Sequence, residues 1–356
     1  MPSLADHDLS TLQQHLLQTG HKPLHAAKLL RRFYDTHGHL DPAAIPMSRT
    51  LAQHITQNFS TPSSKILRQT IAADGTTKLL IAFESGGTAE SVLMLGYRPN
   101  IAAGCVSSQI GCAMGCDFCA TTRNGLQRDL QPHEIVEQFL HLKERAAAIG
   151  RRLKTVVFMG MGEPLLNFDA VVTAVRRIAD PQLGSLGWRH ITISTVGIVP
   201  AIDRLAKLDL NVHLAVSLHA PDDATRSRIV PINRRYPVAE VLAAAKRFLT
   251  TTNRIPTIEY CMLANINDSD AQAAHLADLL QNFRAHVNLI PYNSIGTALS
   301  GATYHRPSQD RLLSFIQILR DRNIVAHFRT PRGDDVNAAC GQLRETVLSP
   351  LPSGEG

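Results

Sequence analysis

Aromatic residues are scarce: Phe, Trp and Tyr together make up 5% of the 356 residues, with a single tryptophan. So small a share argues against an extended base-stacking platform. There are only six cysteines, too few for a disulfide scaffold in a chain this long. Metal or redox chemistry in a reducing compartment fits them better. No apolar run approaches the length that spans a bilayer. The segment MPSLADHDLSTLQQ carries early acidic residues and no apolar core, so it does not read as a signal peptide. A soluble, cytoplasmic protein is the expectation, and a monomer. Hydrophobic residues make up 44% and charged residues 19%, a balance that folds rather than stays disordered. The length suits one large catalytic domain with a small accessory one. Lys and Arg number 36 against 30 Asp and Glu, a formal charge of +6. That excess favours a polyanionic partner such as RNA or DNA, although proteins that bind no nucleic acid also carry it.

Residues 1–60 read as helical, with Ser10 able to cap LSTLQQHLLQ and LHAAKLLRRFYDTH placing apolar residues three and four apart. Residues 61–97 read as a short β-rich linking region, in which ILRQTIA and KLLIAFES flank the turn Ala73-Asp74-Gly75 and AESVLML follows. From residue 98 to 346 strands and helices alternate. GCVSS, TVVFM, HITIST, VHLAVSL, TIEYCML and HVNLIPY are the strands, and amphipathic helices separate most of them. Such alternation predicts a parallel sheet, either open or rolled into a barrel, with functional residues at the C-terminal strand ends. Residues 347–356 are expected to be a disordered tail.

Cys112-Ala-Met-Gly-Cys116-Asp-Phe-Cys119 puts three thiols on one short loop after the first strand of the alternating region. Thiolates suit iron–sulfur iron or zinc. Three ligands on a four-iron cluster leave one iron open to another molecule. A three-Cys zinc site completed by a histidine is the competing reading, but the loop has no histidine at zinc-finger spacing. FMGMGEPLLN follows its strand directly, and its glycines allow close backbone approach to a ligand that Glu163 could pair with if cationic. The bland alternative is an ordinary strand-to-helix turn.

The C-x3-C-x2-C loop ahead of alternating strands and helices resembles the radical S-adenosylmethionine (SAM) superfamily. CVSSQIGCAMGCDFCATT, FMGMGEPLLN, ISTVGIVP, SLHAPDDATRSRIVPINRRYP, NLIPYN and RGDDVNAACGQL together resemble the RlmN/Cfr family of RNA adenine methyltransferases. The resemblance implies an α/β fold, a partial (β/α)6 TIM-like barrel with a small N-terminal helical accessory domain. It implies a 4Fe-4S cluster on Cys112, Cys116 and Cys119, with SAM on the fourth iron. Gly162, Glu163, Ser194, Ser217, Leu218, His219 and Asn293 match SAM-contacting positions, although a lone Ser or Asn at a strand end is more often a turn residue and His219 could be a core histidine. It further implies that Cys340 is methylated by one SAM and that a 5′-deoxyadenosyl radical from a second activates that methyl group for addition to adenine. Cys105 would then resolve the adduct through a transient disulfide with Cys340, and Glu90 would accept the ring proton. Cys261 has no counterpart in this scheme and reads as core.

Arg123, Arg128, Arg234, Arg235, Arg329 and Arg332 lie near the expected opening and could bind phosphates, or simply form a solvated basic face. Recognition of a folded RNA with one base extruded fits the few aromatics. The motifs GMGEPLLN and TPRGDD look more like RlmN than Cfr, which implies methylation of adenine carbon 2 in 23S ribosomal RNA, with tRNA a second candidate substrate. A Cfr-like carbon-8 enzyme, a radical SAM enzyme with a non-RNA substrate, and a zinc-bound RNA-binding module are the alternatives. A one-electron donor such as flavodoxin or ferredoxin would be a partner.

Overall fold

The computed structural model describes residues 1–60 and 62–343; the tail expected at 347–356 lies outside them. Helix α1 (Leu9–Gln18) is started by Asp8, whose carboxylate accepts from the Thr11 amide while Thr11 caps back, so the cap is Asp8 rather than Ser10. Helices α2 (His25–Asp35) and α3 (Arg49–Asn58) follow, and Leu12, Leu16, Leu29, Phe33, Leu51 and Ile55 are turned inward at helical spacing.

Strands β1 (Ser64–Ile71), β2 (Thr77–Phe83) and β3 (Thr88–Leu95) form an antiparallel meander, and β3 pairs antiparallel with β4 (Ile101–Cys105). The region expected as a linker is thus a continuous edge of the main sheet. Strands β5 (Gln109–Gly111) and β6 (Leu126–Asp129) make a separate hairpin that holds the cysteine loop between them. The chain then runs α4 (Pro132–Ala148), β7 (Arg152–Phe158), α5 (Phe168–Ala179), β8 (Ile191–Thr195), α6 (Val199–Ala206) and β9 (His213–Ser217). It continues through α7 (Asp223–Ile229), α8 (Val238–Thr252), β10 (Thr257–Met262), α9 (Asp270–Leu280), β11 (His286–Pro291), α10 (Gln309–Asp321) and β12 (Val325–Phe328).

The main sheet has the order β1-β2-β3-β4-β7-β8-β9-β10-β11-β12, parallel from β4 onward. Helical crossovers cover its outer face, so both faces are buried and the strands are near-continuously apolar. Residues at the ends of β7 through β11 and after β12 line one common cavity, which makes the sheet a partial barrel. The sheet does not close on itself: its edge strands are β1 and β12. The segment after β12 is held to the meander by Lys78 Nζ donating to the Asn337 carbonyl at 3.0 Å and by the Ala73 amide donating to Asp335 at 2.9 Å.

The N-terminal helices are anchored to the barrel by buried polar contacts. Ser3 Oγ donates to Glu137 of α4 at 2.7 Å, and Arg177 of α5 donates to the carbonyls of Ala5 and Asp6. None of the helices among the described residues is long and apolar enough to cross a membrane.

Candidate active site

The turn after β7 is laced to the segment after β4. The Gly160 amide donates to the Val106 carbonyl at 3.1 Å, and the Met161 amide to Ser107 Oγ at 2.9 Å. A side chain at Gly160 would meet Ser107 Oγ at 2.6 Å, and one at Gly162 (φ +97°) would meet Gln109 Cβ at 2.5 Å. Both positions therefore require glycine. This close approach fixes Glu163, which is buried and accepts from the amides of Leu165 (3.0 Å) and Val196 (2.8 Å). Burial nevertheless pushes its carboxyl up to about 7, outweighing those hydrogen bonds.

Cys112, Cys116 and Cys119 line a cavity at this end of the barrel, roughly 930 Å³ including the part open to solvent. Gly162, Glu163, Ser194, Ser217 and His219 line the same cavity, so the structure brings together most residues of the expected cofactor pocket. Ser194 Oγ and Ser217 Oγ lie 3.5 Å apart on adjacent strands. His219 has a left-handed backbone (φ +62°), and its Nδ1 accepts from the Cys261 amide at 2.9 Å, which assigns the ring proton to Nε2. Burial, helped by the nearby Arg226, pushes it down to about 3, so the imidazole is neutral. It packs edge-on against Phe118 of the cysteine loop, with ring centroids 4.8 Å apart. Leu218 does not line the cavity; it is fully buried, and its amide donates to the Glu259 carbonyl at 3.0 Å.

Burial pushes the thiols of Cys112, Cys116 and Cys119 up, Cys112 to about 12, and each is raised further by the charge of another cysteine. Three thiols within electrostatic reach of one another, in a dry pocket, suit a cationic centre that would hold all three as thiolates. Three thiols lining one cavity suit the thiolate ligation of an iron–sulfur cluster.

Cys340 lies in a wall shared with a second, smaller cavity, which Cys105, Val92, Met94 and Asn293 also line. Met159, Ile290 and Arg329 complete the shared wall. The Cys340 loop is tied to the cysteine loop, the Ala120 amide donating to the Gly341 carbonyl at 2.7 Å and Thr121 Oγ1 to the Leu343 carbonyl at 2.6 Å. Asn293 Nδ2 donates to the Cys340 carbonyl at 3.2 Å, so it supports this loop and does not line the larger cavity. All six cysteines are free thiols, and the disulfide expected between Cys105 and Cys340 is not formed. Burial pushes the Cys105 thiol up to about 12, where it stays protonated and unreactive at neutral pH. Cys261 is buried as expected, but it also lines the larger cavity. Glu90 lines neither cavity; it is fully buried and forms an ion pair with Lys78 at 3.1 Å.

The arginines read as phosphate contacts divide sharply. Arg128 is committed to Glu134 (2.8 Å on each arm), Ser85 and the Gly86 carbonyl, and Arg123 to the carbonyls of Ile295 and Thr297. Arg329 faces the two cavities, and the neighbouring Cys340 pushes its guanidinium further up, with Glu259 and Cys105 adding to the effect. Arg234 and Arg235 are exposed, and Arg332 stacks over Tyr97 at 5.5 Å. Two residues that sequence reasoning passed over matter here. Arg226 is fully buried beneath the site, and Glu259 lines the cavity with its Oε2 unpartnered among protein groups. A charged residue inside an otherwise apolar strand, as in TIEYCML, was the available signal for Glu259.

The radical SAM superfamily pattern matches residues 106–277. A probable dual-specificity RNA methyltransferase, RlmN 1, of Opitutus terrae is 50% identical over 343 residues, covering 96% of this chain and 97% of its own. A probable dual-specificity RNA methyltransferase RlmN of Thermotoga neapolitana is 41% identical over 302 residues, covering 84% and 85%. The crystal structure of a radical SAM methyltransferase from Sphaerobacter thermophilus superposes with a TM-score of 0.91 at 41% identity, covering 97% of this chain and 99% of that one. The glycine-cradled Glu163, the three cavity thiols and this likeness over nearly the whole length agree: the chain belongs to the radical SAM superfamily, in the RlmN family of methyltransferases.

Proposed function

We propose that this chain methylates carbon 2 of an adenine in 23S ribosomal RNA, and in tRNA, by way of a methyl group carried on Cys340. The observation that carries the reading is the placement of Cys340 in the wall between two cavities, one with the three cluster thiols and Glu163, the other with Cys105. Cys112, Cys116 and Cys119 would hold a 4Fe-4S cluster, which with SAM bound would supply the carbon-centred radical chemistry that activates a sulfur-borne methyl group.

The chain's own residues do the rest. Glu163 sits where it can pair with the SAM ammonium, whose charge would restore a carboxylate that burial otherwise disfavours. Ser194 and Ser217 offer hydroxyls from adjacent strand ends. Arg329 lines the shared wall beside Cys340, the sulfur that accepts a methyl group from SAM. An electrophilic ring carbon offers nothing to a methyl cation equivalent, whereas a carbon-centred radical can add to it, tying the adenine to Cys340. Once the adduct radical has given up one electron, to the cluster oxidised in making the radical, Glu90 would take the proton from the ring carbon. Cys105, after losing its own proton, would attack the Cys340 sulfur, so that the C–S bond breaks, a Cys105–Cys340 disulfide forms and the freed carbon is protonated to a methyl group. A flavodoxin or ferredoxin is the class of electron donor this chemistry needs, and the net charge of +6 suits the RNA.

The test is mass spectrometry of rRNA and tRNA from cells with and without the protein, resolving 2-methyladenosine from 8-methyladenosine. Loss of 2-methyladenosine on deletion is expected. Loss of 8-methyladenosine would instead assign a Cfr-like reaction, and an unchanged profile would refute both.

A further inference from the structure

Lys78 has no part in the reaction described above, yet it is placed where that reaction would feel it. On β2 it lies opposite Val92 of β3, and Val92 in turn lies opposite Cys105 of β4. Its ammonium reaches Glu90 Oε1 at 3.1 Å, with the two side chains only 10% and 0% exposed. The same nitrogen donates at 3.0 Å to the carbonyl of Asn337, three residues before Cys340. One side chain therefore touches both the carboxylate assigned to proton removal and the loop that carries the methylated sulfur.

A buried ammonium is costly unless its charge and its donors are met. Here the carboxylate meets the charge and the loop carbonyl takes a second donor. A sheet edge that needed only filling would be served by an apolar residue, as at Leu79 and Leu80 beside it. We propose that Lys78 is a positioning residue for removal of the ring proton: it sets the Glu90 carboxylate at a fixed place relative to the seated Cys340 loop. The proposal rests on the reading that Glu90 deprotonates an adenine held on Cys340. It predicts that the base and its substrate are brought together by one shared cation rather than by separate contacts.

The test uses full-length, anaerobically reconstituted enzyme with RNA, comparing wild type, Lys78→Met and Lys78→Arg. Because Asn293, Ala120 and Thr121 still hold the Cys340 loop, both variants should methylate Cys340, within a few-fold of wild type, and bind RNA with a KM close to wild type. Both should accumulate RNA covalently linked to Cys340, visible as a slow-migrating band. Release of methylated RNA should fall roughly 100-fold in Lys78→Met, the scale of a displaced general base, and about tenfold in Lys78→Arg, which keeps the charge. Release at the wild-type rate by either variant would overturn the proposal, as would loss of Cys340 methylation along with RNA release. If Lys78→Met does not fold, the adduct and the tenfold loss in Lys78→Arg decide the matter alone. If the wild-type enzyme itself releases no methylated adenine, the reading of the reaction fails and this inference falls with it.

Discussion

Removing the guanidinium of Arg226 should cost this protein more than any exposed charge. The side chain is fully buried, within α7 between β9 and α8, and it makes five hydrogen bonds. Nε donates to the Leu218 carbonyl at 2.9 Å, Nη1 to Asn233 Oδ1 at 2.8 Å and the Tyr236 carbonyl at 3.2 Å. Nη2 donates to the carbonyls of Val196 at 2.6 Å and Ser217 at 3.3 Å. The acceptors on Val196, Ser217 and Leu218 lie at the ends of β8 and β9, where Ser217 and His219 enter the cavity, and those on Asn233 and Tyr236 lie in the segment leading to α8. Arg226→Met has similar bulk and no donors, so three short bonds are lost outright and their acceptors stay buried. Each unsatisfied acceptor costs about 1–3 kcal/mol. Against this, the variant no longer buries a charge, a cost evident in the guanidinium's being pushed down to about 10, chiefly by desolvation. The net expectation is a loss of about 4 kcal/mol, toward the low end of what three or more buried unsatisfied acceptors cost. Urea unfolding should show the midpoint falling by about 1 M or more. Arg226→Lys, with its single point of donation, should fall between. SAM affinity measured by equilibrium dialysis should drop in both, because the strand ends are no longer clamped. A loss below about 1 kcal/mol in Arg226→Met would refute the reasoning.

Glu163 links pH to stability. Its carboxyl is raised from 4.5 to about 7 in the fold, so the folded protein binds the proton more tightly than the unfolded chain. Stability from this group is present below about pH 4.5 and is lost as the pH rises through 7, by about 3 kcal/mol in all. Melting temperatures of the SAM-free protein should therefore slope downward over that window in wild type and stay flatter in Glu163→Gln; parallel slopes would contradict the assignment. Arg128→Met should destabilise by about 3 kcal/mol, because Glu134, 1% exposed, is left without its cation. Its RNA affinity should be unchanged, and a weakened affinity at unchanged stability would place Arg128 in the RNA interface instead. Replacing Cys112, Cys116 or Cys119 with alanine should abolish the brown colour of the reconstituted protein, whereas Cys261→Ala should retain it. A brown Cys116→Ala protein would mean that the ligand set is wrong.

Much of the barrel was legible because its strands and helices each carry a clear period. TVVFM, HITIST and TIEYCML are runs of apolar and β-branched residues, and they fall on β7, β8 and β10 within a few residues. Short elements escaped. Strand β5 is three residues long, and α7, DATRSRI, has too few apolar positions to show a period. The capping signal was misread at Ser10 because the decisive pairing is Asp8 with Thr11, a reciprocal bond that composition alone does not rank. The β-rich segment before residue 97 was seen as strands, but its joining to the main sheet was not, since register between distant strands is set by long-range pairing. In the site, the cluster thiols announced themselves by spacing. Arg329 did not, because one sequence-level arginine looks the same whether it faces phosphate or a buried sulfur.

The two-cavity arrangement has a consequence for how this chemistry is kept in order. Cys340 sits on a loop whose fixed points all lie on other parts of the chain. Lys78 holds it from β2, Asn293 from the end of β11, and Ala120 and Thr121 from the cysteine loop. A displacement of the cysteine loop would be passed to the Cys340 loop through the Ala120 and Thr121 hydrogen bonds. Cys105, by contrast, is fixed by β4 and held as a protonated thiol by burial, so it cannot attack prematurely. Arg329 lines the shared wall within electrostatic reach of both sulfurs, so a change there would alter that balance. It follows that Arg329→Met should slow methylation of Cys340 and resolution by Cys105 together, whereas loss of Asn293 should affect Cys340 alone. Equal effects of the two substitutions on both half-reactions, followed separately by peptide mass and by RNA release, would show that the wall does not divide the chemistry in this way.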